Sequence, residues 1–275
     1  MSPGRVPLRV VVLGRGAIGR PVALALAAGH VEGARLAGVF DSRGGVRYEQ
    51  GVPPFPADGA PLPPESLPET ADLVVEAAGH PVLEDLGARV VACGIDLLAV
   101  SVGALCAPAA RSVLTGGPGR LYLSTGAIGG LEVIRALAES GALRRVRIET
   151  TKRATTLVQP WMDEAERERL RTLAAPVELL RGSPATVARA FPRSANVAAS
   201  VASAAGNWDL VEAVVRADPA CADTVHRIEV GSDAGEHSFQ IRNVPSPDNP
   251  ATSALVPHAV LRAIRDIAGR AVTLI

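Results

Sequence analysis

Two kinds of apolar run occur along this chain, and the change between them falls near residue 126. In the first part the runs do not alternate. Val10, Val11, Val12 and Leu13 are contiguous, and residues 35–40, 71–78, 96–103 and 120–126 hold similar short apolar stretches. A β-branched run without alternation fits a parallel strand buried on both faces. Helix-periodic segments at 17–28, 81–93 and 107–114 separate these runs. Repeated strand–helix alternation predicts a doubly wound parallel sheet with right-handed crossovers.

Beyond 126 the pattern changes. After a helix over 131–140, residues 143–151 alternate apolar and polar, as expected of a sheet with one face covered. Further helices are expected at 163–174, 183–190 and 196–206, the last with Asn196 as its N-cap. Strands are expected at 209–217, 224–230 and 237–243, the last two joined by a hairpin turn at 233–235. A final apolar helix over 254–267 would be capped by Thr252 or Ser253, with Pro257 disturbing its first turns. The architecture predicted is α/β: a Rossmann-type doubly wound sheet plus a second α+β domain with a mixed or antiparallel sheet. Residues 1–125 and 251–275 would form the dinucleotide-binding domain. Residues 126–250 would form a substrate, catalytic and dimerisation domain.

The candidate chemistry begins where the first strand ends. Gly14-x-Gly16-x-x-Gly19 sits between that strand and the first helix, with Ala17 and Ile18 inside it. The first glycine permits a tight turn, the second lets backbone approach a pyrophosphate, and the third lets helix and strand pack closely. The helix start offers N–H groups and a positive dipole end to a phosphate. Asp41 follows the second strand, about 20 residues on, where an acid binds the adenosine ribose hydroxyls. A carboxylate there repels a 2′-phosphate and favours NAD, whereas Arg43 would admit NADP. Ala77, Ala78 and Gly79 end the third strand with small residues that let a cofactor pass, and His80 stands at the same edge. Between Asp41 and the third strand, residues 42–68 are rich in glycine and proline and read as a surface excursion.

In the second part, Lys152 and Arg153 close the alternating strand as two adjacent cations, suited either to a substrate carboxylate or to solvent. His226 shares a strand face with Ile228 and Val230, which is compatible with a core histidine or a catalytic one. The charge balance of 28 basic and 28 acidic residues argues against nucleic acid or an anionic membrane as partner. No apolar run approaches a membrane span, and the start of the chain does not read as a signal peptide. Cys93, Cys106 and Cys221 are scattered without metal spacing, as expected of reduced thiols in a cytoplasmic protein with no metal site.

Taken together, the glycine turn, Ser124-Thr-Gly-Ala-Ile-Gly-Gly130, Phe191-Pro-x-x-x-Asn196-Val-Ala-Ala, the Val225-His226 strand and Asn249-Pro-x-Thr-Ser253 resemble the L-aspartate dehydrogenases over nearly the whole chain. The resemblance implies NAD(P)-dependent oxidation of L-aspartate to iminoaspartate, or reductive amination of oxaloacetate with ammonia, and a place in NAD biosynthesis. It implies cofactor contacts at Ala127 and Asn196 and His226 as the catalytic histidine, while the small-residue, apolar second domain would suit a homodimer interface. Lys152 and Arg153, helped by Thr252 and Ser253, would bind the substrate carboxylates. This chain has Thr150-Thr-Lys-Arg-Ala-Thr-Thr156 where the family commonly shows a Thr-Arg-Lys-Pro-Pro run, so two prolines are missing. Alternative readings are a dihydrodipicolinate-reductase or homoserine-dehydrogenase type of enzyme, or a non-catalytic NAD sensor. The scarcity of lysine, with Lys152 standing among arginines, weighs against lysine-centred mechanisms.

Overall fold

The computed structural model describes residues 6–40 and 70–269. Asp41, Arg43 and the expected surface excursion at 42–68 lie outside the described residues. The chain divides into two compact units: one holds the residues up to Gly126 and from Val256 onward, the other is Ala127–Leu255.

The first unit is built on strands β1 (Leu8–Leu13), β2 (Ala34–Phe40), β3 (Leu73–Glu76), β4 (Asp96–Ala99) and β5 (Leu121–Leu123). They form a five-stranded sheet in the order β2-β1-β3-β4-β5, every neighbouring pair parallel. Val10, Val11 and Val12 are fully buried, as a strand covered on both faces requires. One layer is completed by helix Gly19–Ala27 and by the last helix, Val256–Ile267, whose Val260 and Ile264 join Val22 and Leu26 over the sheet. Pro257 does not disturb that helix. It occupies the first turn, where its missing N–H has no intrahelical partner to lose. Residues 80–92 are helical with a π-helical segment, Leu83–Gly87. β4 is shorter than the apolar run suggests, because Val102–Cys106 turns into a 3-10 helix before helix Pro108–Thr115. The chain order reverses between β1 and β3, which creates a switch point at the C-terminal edge of the sheet.

The second unit carries a mixed sheet in the order β10-β9-β6-β8-β7, from β6 (Leu143–Arg153), β7 (Val177–Gly182), β8 (Val211–Asp218), β9 (Thr224–Ser232) and β10 (Gly235–Asn243). β6 runs parallel to β8, and the other pairs are antiparallel. Helices Leu131–Glu139, Pro184–Ala190 and Ala195–Ala205 contribute Ile134, Leu137, Val187, Val201 and Ala202 to one core with Ile148, Val215 and Ile228 of the sheet. Other positions of the strands carry charge, with Arg147 of β6 within ion-pair distance of Glu149, Glu212 and Glu229. Helix Glu164–Arg171 opens with a complete capping box between Asp163 and Glu166.

Two further expectations need correction, and one strand is new. β7 has no counterpart in the sequence pattern, because a bulge between Glu178 and Leu180 interrupts its alternation. Asn196 is not an N-cap: the 3-10 turn Pro192–Ser194 feeds straight into the helix, so Ser194 is the cap and Asn196 falls in the first turn. Thr252 and Ser253 do not cap the last helix. They belong to β12 (Asn249–Ser253), which pairs with β11 (Pro245–Ser246), and the helix begins only at Val256.

Candidate active site

At the C-terminal edge of the first sheet the glycine turn follows β1 directly. Gly14 has φ 104°, and a side-chain carbon there would lie 2.5 Å from the carbonyl oxygen of Ala77. One at Gly19 would lie 2.1 Å from the carbonyl oxygen of Gly14. Both are therefore dictated by the protein's own packing. Gly16 is different: a side-chain carbon there meets nothing within 4 Å. The protein itself does not require glycine at 16, but a ligand lying on the turn would. Ala17 and Ile18 are half-buried beside it. Ile18 supplies no side-chain cap to helix Gly19–Ala27, and no acid stands in the first turn. An uncapped, acid-free helix start behind an open glycine suits a pyrophosphate.

The next loop at this edge, Ala77 to Gly79, is held from below. Glu76 ends β3 with no solvent exposure. Its Oε1 accepts from the N–H groups of Ala78 (2.7 Å) and Gly79 (2.9 Å) and from the Ser101 hydroxyl (2.8 Å), and its Oε2 accepts from the Ser101 N–H (3.0 Å). An acid in the otherwise apolar run Leu73-Val-Val-Glu76 is the sequence signal for such a site, because a buried carboxylate needs donors. His80, half-buried, opens the following helix.

In the second unit, the apolar ladder between β6 and β9 becomes polar at one end. Val146 pairs with Val230, Ile148 with Ile228, and Thr150 with His226. His226 is 5% exposed, and its Nδ1 lies 3.0 Å from Thr150 Oγ1. Burial, followed by the positive charge of Lys152, pushes the imidazole pKa down to about 3, so it is neutral at physiological pH.

Two residues along the same strand faces, Lys152 and Thr224 line a cavity of about 260 Å³ with Arg153, Thr156, Phe191, Arg193, Ser194 and Asp223 among its walls. Lys152 Nζ donates to the Arg193 carbonyl (3.2 Å), and burial together with the Arg193 charge lowers its pKa to about 8. Arg153 is exposed and donates through Nε to the Cys221 carbonyl (3.2 Å).

The fold thus brings His226, Lys152 and Arg153 into one neighbourhood and adds Thr150, Arg193 and Ser194, which the sequence reading missed. Arg193 and Ser194 lie inside the Phe191-to-Asn196 motif, so their position was visible even though their role was not. Ala127 is buried, and its carbonyl accepts from Nδ2 of buried Asn243 (2.8 Å). Asn196 is half-buried, and its carbonyl accepts from the Ser200 hydroxyl. Thr252 and Ser253 do not line the cavity, although Pro245, opposite Ser253 in the β11–β12 ladder, does. Thr252 Oγ1 accepts from Asn249, and Ser253 Oγ from the Leu255 N–H. Among the described residues no group of three or more His, Cys, Asp or Glu gathers to hold a metal, and no helix is long and apolar enough to cross a membrane.

A parallel sheet with a glycine turn at its switch point, joined in one chain to a mixed-sheet unit with a cavity that bears cations, defines a dinucleotide-binding α/β protein with a second, mixed-sheet domain. Residues 14–116 match the homoserine dehydrogenase NAD-binding domain model, and residues 133–267 match the aspartate dehydrogenase C-terminal model. An L-aspartate dehydrogenase of Bordetella pertussis is 33% identical over 266 residues, 94% of this chain and 96% of the relative. One from Ruegeria pomeroyi is 37% identical over 208 residues, 73% of this chain and 74% of the relative. The crystal structure of aspartate dehydrogenase from Thermotoga maritima shares the fold, with TM-score 0.70 over 98% of this chain and all of that chain at 22% identity. The chain belongs to the L-aspartate dehydrogenase family.

Proposed function

We propose that this chain oxidises L-aspartate to iminoaspartate, with bound NAD(P) supplying the hydride acceptor, and in reverse aminates oxaloacetate. The observation that carries the reading is the Thr150–His226 pair standing two strand positions from a cavity wall that bears Lys152, with Arg153 and Arg193 beside it. Three cations suit a dicarboxylate. A neutral imidazole suits the proton work. With Nδ1–H donating to Thr150 Oγ1, Nε2 is left as acceptor for a proton of the substrate amine or of the water that attacks the imine.

The same cations bear on the base. Burial is the main reason the His226 pKa is low, and Lys152 adds to it. A carboxylate bound at Lys152 offsets that smaller contribution and leaves the ring neutral as a proton acceptor. Family membership and the uncapped helix start behind Gly16 support NAD(P) as cofactor.

The test is NADH consumption by the purified chain with oxaloacetate and ammonium, with pyruvate, 2-oxoglutarate and aspartate semialdehyde run in parallel. Ammonium-dependent turnover of oxaloacetate is expected. Preference for any of the other three, or turnover independent of ammonium, overturns the substrate assignment.

A further inference from the structure

Glu76 lies outside the proton chemistry above, yet it is the most thoroughly hydrogen-bonded buried acid among the described residues. Its two oxygens accept from Ala78, Gly79 and Ser101, joining the loop after β3 to the loop after β4. The loop after β3 also touches the glycine turn, since the space beside Gly14 is filled by the backbone of Ala77 and Ala78. One carboxylate therefore ties together the loops that follow two adjacent strands, β3 and β4.

In a doubly wound sheet the dinucleotide lies across the C-terminal edge at the switch point, with its adenosine half over the strand that follows the glycine helix. Here that strand is β2, on one side of β1, and the Glu76-held loops lie on the other. We propose that Glu76 is a positioning residue for the nicotinamide half of the cofactor, acting through the Ala78–Gly79 and Ser101 backbone. This rests on the dinucleotide reading of the first unit.

All four partners are donors, so the site demands an acceptor at both oxygens. Glu76→Gln keeps the shape but turns an N–H₂ group towards donors, which breaks the set. The loops then lose their common anchor, while the β2 side keeps its own contacts. A merely structural role would weaken every ligand of the unit alike. A positioning role discriminates between the two halves of the cofactor.

The experiment titrates NADH and ADP-ribose, which lacks the nicotinamide, into full-length wild type, Glu76→Gln and Ser101→Ala. For Glu76→Gln the NADH Kd should rise about tenfold or more, with the ADP-ribose Kd within about twofold of wild type. Ser101→Ala removes one of the four donors and leaves the carboxylate, so it should give a smaller loss confined to NADH. Equal weakening of both ligands, or unchanged NADH binding, overturns the proposal. If Glu76→Gln does not fold, Ser101→Ala decides alone by the same criterion. A wild-type chain that binds neither ligand overturns the dinucleotide reading itself, and this proposal with it.

Discussion

Glu76 in the first unit and His226 in the second are both polar side chains buried at the end of an apolar strand run, and their surroundings differ sharply. Glu76 meets four donors within 3.0 Å, whereas His226 meets one partner, Thr150, and the positive field of Lys152. A polar group whose bonds are all made holds backbone in place. A group kept neutral mainly by burial, with a neighbouring charge adding to the effect, stays in its proton-accepting form at neutral pH. On the proposed reading the first site is a scaffold and the second carries the proton chemistry.

The sharpest way to break that comparison is His226→Ala. Removing the proton acceptor should lower kcat by about 10²–10⁴ while leaving NADH affinity in place, as measured by steady-state kinetics and NADH titration. Full turnover with an unchanged pH profile would return His226 to the role of a core histidine. On the scaffold side, Gly19→Ala forces a carbon against the Gly14 carbonyl, and unfolding in denaturant should register a loss of about 3 kcal/mol even without cofactor.

Lys152→Met should raise the KM for aspartate by something on the order of 100-fold with a smaller change in kcat. Because the Lys152 pKa is about 8, wild-type substrate affinity should fall as pH rises through that value. Lys152→Arg keeps its charge and should push this limb to higher pH, which a KM–pH profile would show.

A further effect concerns the pH dependence of stability. The folded pKa of His226, about 3, lies below the ordinary value of 6.5, so the fold favours the neutral ring. The contribution is therefore complete above pH 6.5 and is lost as pH falls towards 3, at no more than about 1.4 kcal/mol per pH unit for one proton. Denaturation between pH 6.5 and 4 should show this slope in wild type and lack it in His226→Gln. The smallest structural effect is expected at Gly16→Ala. With open space at that position, the Tm of the cofactor-free protein should stay put while NADH binding weakens. A fall in that Tm would make Gly16 part of the scaffold.

The sequence by itself determined what depends on neighbours along the chain. An unbroken valine run makes a strand buried on both faces, a glycine turn must follow it, and alternation from residue 143 marks a half-covered sheet. The motif residues 14–19, 78–79, 152–153 and 226 could be picked out from those local patterns and from family resemblance.

Tertiary structure alone decided how distant groups combine. Thr150 meets His226 across 76 residues because β6 and β9 align in one register, and a slip of β9 by one residue would turn His226 to the other face, away from Thr150. Glu76 reaches Ser101 only because β3 and β4 are neighbours in the sheet, and Lys152 finds the Arg193 carbonyl 41 residues away. Even Asn196, apparently a cap, moved into the helix once the preceding 3-10 turn was set. Periodicity reports which face a residue occupies. It carries no information on which partner shares that face, and it is the partner that sets the hydrogen bonds, the burial and the charge of the site.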